Sequence, residues 1–218
     1  MQGQEKQTNP YLNVPAVQSA DGVSISNLCA RREAPRREAP KSTDFEIEIG
    51  FGKGHFLLDR AEKNPQITFI GLETRRKWVG LVQQRAEKRK LSNVYVWLGD
   101  ARSVLSRLDE DAVFQRMFIH FPDPWWKARH EKRMVITESL ARDAARVLSD
   151  HAEVFIQTDV DFRSDEYKRV FASHELFESE TRDGVIDQNP FGSRSLREKK
   201  CEEVGLPIYR LLYRRRQR

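Results

Sequence analysis

The sequence predicts an α/β fold, a mainly parallel, twisted sheet with helices on both faces. Two observations predict it. Short apolar or alternating stretches recur along the chain, and helical stretches separate them, which is the order of a sheet built from crossover units. The acids Glu73, Asp100, Asp123 and Asp159 each fall at or just past the end of a predicted strand. In such sheets ligands sit outside the carboxyl ends of the strands, so this fold would gather those acids along one rim.

The elements follow in order. Phe45, Ile47 and Ile49 alternate with Glu46 and Glu48, which reads as a first strand. A glycine-rich turn spans 50–54, and a helix over 55–63 stops near Asn64-Pro65. A second strand covers 68–73, and a basic helix covers 75–90 with Trp78, Val79, Leu81 and Val82 on its apolar face. A third strand over 94–98 closes at Gly99-Asp100, before a short helix over 101–108. A fourth strand over 117–121 is broken by Pro122-Asp123-Pro124. A helix over 132–148, a strand over 153–157, a helix over 164–173 and a last strand over 208–213 complete the set.

The 218 residues are enough for one domain with a sizeable core of its own. A mean hydropathy of −0.70, with no long apolar run, excludes a membrane-spanning class. The first ten residues are polar and show no secretory signal. Cys29 and Cys201 are too few for a disulfide framework and lack zinc spacing, so both read as reduced thiols in a cytoplasmic protein. No metal site is expected. Residues 1–41 are rich in Gln, Asn, Ser and Pro and contain Arg-Arg-Glu-Ala-Pro twice in tandem, at 31–35 and 36–40. They read as a polar, flexible basic arm ahead of a domain over 42–218.

The formal net charge is +5, and its distribution says more than its size. Arg75, Arg76, Lys77, Arg85, Lys88, Arg89 and Lys90 form one basic cluster. Lys127, Arg129, Lys132 and Arg133 form a second, and Arg210, Arg214, Arg215, Arg216 and Arg218 a third. Three such clusters in a small domain suit a polyanionic partner.

The first motif is Glu48-Ile49-Gly50-Phe51-Gly52-Lys53-Gly54 at the first strand–helix junction. Glycines there turn the chain tightly and bring its backbone close to a ligand. The spacing is GxGxG rather than the GxGxxG of dehydrogenases, because His55 stands where the third glycine would be needed. An acid at Glu48 suits a ligand with a positive end, such as the amine or sulfonium of S-adenosylmethionine. Glu73, closing the second strand, is placed for the ribose hydroxyls of an adenosine. Asp100, followed by Ala101, could meet the adenine edge, cap the next helix, or do both. The most specific stretch is Phe121-Pro122-Asp123-Pro124-Trp125-Trp126-Lys127-Ala128-Arg129-His130-Glu131-Lys132-Arg133. It combines an acid between prolines, two aromatics able to stack on a base, and a basic run fit for phosphates.

From about Phe45 onward the chain resembles the bacterial tRNA (guanine-N7)-methyltransferases. The resemblance rests on EIGFGKG, FIGLE ending at Glu73, GDA at 99–101, FPDPW at 121–125 with its basic continuation, and Thr158-Asp159. It implies a Rossmann-like class I fold using S-adenosylmethionine, with S-adenosylhomocysteine as product, and methylation of the variable-loop guanine of tRNA. It implies a cofactor site over Glu48, Gly50, Gly52, Gly54, Glu73, Asp100, Ala101 and Asp123, with Asp123 also at the catalytic centre. Lys127, Asp159, Ser195 and Glu198 would touch substrate, and Arg129, His130, Lys132 and Arg133 would face RNA. The chain departs from the family pattern at Trp126, usually Pro, at Ala128, usually Lys, and at Lys200, which replaces Arg in T-x-x-E-x-R. Lysine lacks the planar fork of arginine.

Two other readings compete: methylation of an exocyclic amine, which Asp123-Pro124-Trp125 partly echoes, and a non-catalytic RNA-binding module. The second has no use for Glu48, Glu73 and Asp100 together. Monomer and homodimer both remain open from sequence.

Overall fold

The computed structural model describes residues 23–26, 44–122 and 134–218. Seven strands form one sheet: β1 (Phe45–Ile49), β2 (Thr68–Glu73), β3 (Val94–Leu98), β4 (Phe114–His120), β5 (Leu148–Thr158), β6 (Phe177–Ser179) and β7 (Tyr209–Arg215). Their order is β3-β2-β1-β4-β5-β7-β6. The pairs from β3 through β5 are parallel, and β7 runs antiparallel to both β5 and β6. The helices are α1 (His55–Lys63), α2 (Arg76–Lys88), α3 (Ala101–Leu105), α4 (Glu138–Val147), α5 (Asp161–Ala172) and α6 (Leu196–Val204).

The two faces of the sheet differ in chemistry, and the register shows how. On one face Leu72, Ile49, Ile119, Ile156 and Leu211 form a row across five strands. Ile70, Ile47, Met117, Val154 and Tyr213 form the next row. This apolar surface packs against buried residues of α3, α4 and α5 such as Leu105, Leu140 and Phe171. Parallel strands covered on both faces are expected to be apolar throughout.

The opposite face breaks that rule. Its first row is Glu46, Arg116, Glu153 and Arg214, with the charge alternating from strand to strand. Glu46 is 1% exposed, and it binds Arg116 at 2.9 Å and Arg60 of α1 at 2.5 Å. Arg116 reaches Glu153 at 2.7 Å. The Arg60 guanidinium packs against the rings of both Phe118 and Phe191, 5.2 Å from each centroid. Buried charge is tolerated where it is paired and hydrogen-bonded, as here. The second row, Glu48, Phe118, Phe155 and Leu212, lies closer to the carboxyl ends.

The arm expected at 1–41 is not wholly separate. Val23 forms an isolated parallel bridge with Leu108, and Val23 and Ile25 are both buried. The Ile25 N–H donates to the Glu110 carboxylate at 3.0 Å. Two buried apolar residues are too few to show a period in sequence. Element bounds also move, most of all in the second half of the chain. β4 begins three residues earlier than expected, at Phe114, and β5 runs from Leu148 to Thr158. α4 starts at Glu138, where the Thr137 hydroxyl accepts from the Leu140 N–H. β6 and α6 were not expected.

Candidate active site

β1 leads into the glycine turn, where Gly50, Gly52 and Gly54 have φ of 73°, 52° and 71°. A Cβ on Gly54 would come within 2.6 Å of a Val82 methyl on α2, so only glycine lets α1 start here. At Gly50 and Gly52 a Cβ would meet nothing within 4 Å, which leaves backbone open to a ligand. The turn is tied to the end of β2. The Gly52 N–H donates to Glu73 Oε2 at 2.9 Å, and the Arg75 N–H donates to Oε1 at 2.9 Å. A carboxylate offers about four lone-pair positions, so Glu73 keeps acceptor capacity.

The carboxyl ends of the parallel strands open into a cleft of about 820 Å³. Glu48, Gly50, Gly52, Glu73, Asp100, Ala101, Asp159 and Ser195 all line it. Gly54 does not, and its part is the backbone turn. Asp100 caps α3 by accepting the Arg102 N–H at 3.0 Å. The Arg102 side chain also grips it, Nη2 to Oδ2 at 2.6 Å. That guanidinium holds the Asp100 carboxyl below the usual carboxylate range. Asp159, past the end of β5, is ion-paired with Arg197 of α6.

Ser195 caps α6, its hydroxyl accepting from the Glu198 N–H at 3.1 Å. Glu198 itself is fully buried and does not line the cleft. It accepts from Asn189 Nδ2 at 3.0 Å and from Arg210 Nη2 at 3.2 Å. It anchors α6 so that Arg197 and Lys200 reach the cleft wall. Asp123, Lys127, Arg129, His130, Lys132 and Arg133 lie outside the described residues. β4 delivers the chain to the cleft at Phe121 and Pro122, and Phe121 has φ 47°. A left-handed phenylalanine is a costly conformation of the sort found at functional sites.

Sequence reasoning missed three residues. Arg102 and Arg197 hold the acids Asp100 and Asp159, and His120 Nδ1 shares a hydrogen bond with Glu48 Oε1 at 3.0 Å. A histidine in an otherwise apolar strand end was the available signal for the last. The His55 imidazole is pushed down first by burial and then by Arg85, Lys199, Lys53 and Arg89. Lys53 and Lys77 both lie over the Trp78 ring, at 5.5 and 4.5 Å. Cys201 is buried, and burial pushes its thiol up, away from reactive thiolate.

Glu73→Ala is expected to weaken S-adenosylmethionine binding by about 1–3 kcal/mol, the range for lost hydrogen bonds to a charged group. Calorimetry with the folded variant checks it, and an unchanged affinity would remove Glu73 from the site.

A family model described as "Putative methyltransferase" matches residues 42–211. The tRNA (guanine-N(7)-)-methyltransferase of Synechococcus sp. (strain JA-3-3Ab) is 36% identical over 170 residues, covering 78% of this chain and 72% of the relative. The protein of that name from Trichormus variabilis (strain ATCC 29413 / PCC 7937) is 33% identical over 172 residues, covering 78% and 80%. Among solved structures, the 16S rRNA methyltransferase KamB superposes with a TM-score of 0.57 at 14% identity, over 81% of this chain and 90% of that one. TrmN from Thermus thermophilus gives 0.57 at 19% identity, over 80% and 44%. The structures establish the fold, a Rossmann-like methyltransferase sheet, and the sequences establish the kinship. The chain therefore belongs to the tRNA (guanine-N(7)-)-methyltransferase family.

Proposed function

We propose that this protein transfers a methyl group from S-adenosylmethionine to N7 of the variable-loop guanine of tRNA, in the cytoplasm. The observation that carries the reading is the meeting of Glu48, Glu73, Asp100 and Asp159 on one cleft, in a chain of this family. The residues suit that cofactor. Glu48 Oε2 is buried with no hydrogen-bond partner among the described residues, as an ammonium would need. Glu73 stands at the end of β2 for ribose hydroxyls, and the open faces of Gly50 and Gly52 admit a close ligand. Asp100 and Ala101 supply polar groups at the start of α3 for the adenine edge. When bound, the cofactor supplies an activated methyl group on sulfur.

The rest of the chemistry belongs to the chain and the base. Neutral guanine already has a lone pair on N7, so no proton has to be removed first. The site's task is alignment, which can contribute about 7–11 kcal/mol. Methylation leaves positive charge on the guanine ring. Asp123 would hold the guanine N–H edge and offset that charge. Asp159, ion-paired with Arg197, would share that role. Lys127 and Ser195 would contact the substrate, and Arg129, His130, Lys132 and Arg133 would take backbone phosphates. The guanine has to leave its stack to enter the cleft.

Incubation with S-adenosylmethionine and unmodified tRNA tests the reading. Borohydride followed by aniline cleaves RNA at N7-methylguanosine and spares a methylated exocyclic amine. Methylated tRNA is expected to break at a single variable-loop guanine. A methylated product that resists cleavage would sink the N7 assignment.

A further inference from the structure

Two buried acceptors remain open beside each other at the carboxyl ends of β1 and β4. Glu48 is 3% exposed and His120 is 7% exposed, and their side chains meet through Oε1 and Nδ1 at 3.0 Å. The other oxygen of Glu48 and the other nitrogen of His120 have no hydrogen-bond partner among the described residues. Both residues line the cleft. The His120 ring is held by Phe56, with centroids 4.2 Å apart, and by Phe155 at 6.0 Å. It therefore has little freedom to turn elsewhere.

The dyad has a defined polarity. A carboxylate only accepts, so the tautomer that satisfies the pair has its N–H on Nδ1 toward Glu48, and in that tautomer Nε2 offers a lone pair. A buried negative charge and a buried lone pair side by side call for a ligand group that is cationic and rich in donors. A primary ammonium, with three N–H bonds and no acceptor, meets that description. The N7 edge of guanine does not, because N7 and O6 are both acceptors.

We propose that His120 is a further cofactor-binding residue, taking a hydrogen bond at Nε2 from the ammonium of S-adenosylmethionine while Nδ1 holds Glu48 for the same group. The proposal rests on the reading that Glu48 binds the cofactor's amino-acid end. It makes His120 a determinant of which adenosine derivatives bind.

The test uses two probes, S-adenosylhomocysteine, which keeps the ammonium, and 5′-methylthioadenosine, which lacks the whole amino-acid end. The His120→Asn variant keeps a donor near the place of Nδ1 for Glu48 and has nothing at the place of Nε2. It is expected to bind S-adenosylhomocysteine about tenfold more weakly, as for one hydrogen bond to a charged group. Its affinity for 5′-methylthioadenosine should match the wild type, which also shows that the variant is folded. Unchanged affinity for S-adenosylhomocysteine, or equal loss for both ligands, would overturn the proposal. Glu48→Gln, measured with the same pair, tests the underlying reading separately. If it weakens S-adenosylhomocysteine binding while His120→Asn does not, His120 alone loses its role. If Glu48→Gln changes nothing, the assignment of Glu48 falls.

Discussion

Replacing Glu46 with alanine is expected to destabilise the fold by about 3–5 kcal/mol, the cost of stranding a buried charge. Arg60 would suffer most. It is 6% exposed, and without Glu46 its remaining side-chain hydrogen bond among the described residues is to the Phe191 carbonyl at 3.0 Å. Arg116 keeps Glu153, so it loses less. Denaturant unfolding would read the loss as a lower midpoint at nearly constant slope. A shift under about 1 kcal/mol would mean that Arg60 swings out to water. The pair need not stabilise the fold overall, since apolar replacement of both partners is often neutral or better. Glu46→Leu combined with Arg60→Met should therefore recover most of the loss. The charge row matters to the site because Glu48 is two residues along the same strand face, and a collapsed row would let it shift.

Asp123→Ala should lower turnover by about 10²–10³, the usual cost of removing one preorganised electrostatic group. Binding of tRNA should change little, because phosphate contacts carry most of that affinity. Single-turnover rates with saturating tRNA separate the two effects. Asp123→Asn keeps the shape and loses the charge, so it should be nearly as poor. An amide that retained most of the activity would assign Asp123 to hydrogen-bond positioning, and a full loss of tRNA binding would move it out of the chemistry.

The first half of the fold was legible because its signals are local. β1, β2, β3 and α1 fall on the residues that alternation, glycines and Asn64-Pro65 marked for them. The second half hides its signals. α4 passes into β5 at Leu148 with no glycine or proline between them, and the strand takes its kink at His151, with φ 65°. β6 has three residues. α6 reads as polar on every side, since the residues it buries are Glu198 and Cys201 while Leu196 and Val204 are exposed. The acids of the site could be named because a parallel sheet sends every strand end to one rim. Their partners could not, because Arg197 and His120 reach Asp159 and Glu48 only through the tertiary fold. Glu198 shows the converse, since a motif marked it as important and its burial makes it an anchor.

The placement of β7 between β5 and β6 also governs the order in which the protein can be made. β6 joins the sheet only through β7, although it is synthesised some thirty residues earlier. Until Tyr209–Arg215 has left the ribosome, β6 has no strand to pair with and the edge of β5 stays bare. That edge carries Val154, Phe155 and Ile156, an apolar run of the kind that pairs with any free strand nearby. The nascent chain thus passes through a stage in which β1 to β5 can pair, α6 still lacks the Arg210 partner of Glu198, and the open edge is most exposed to aggregation.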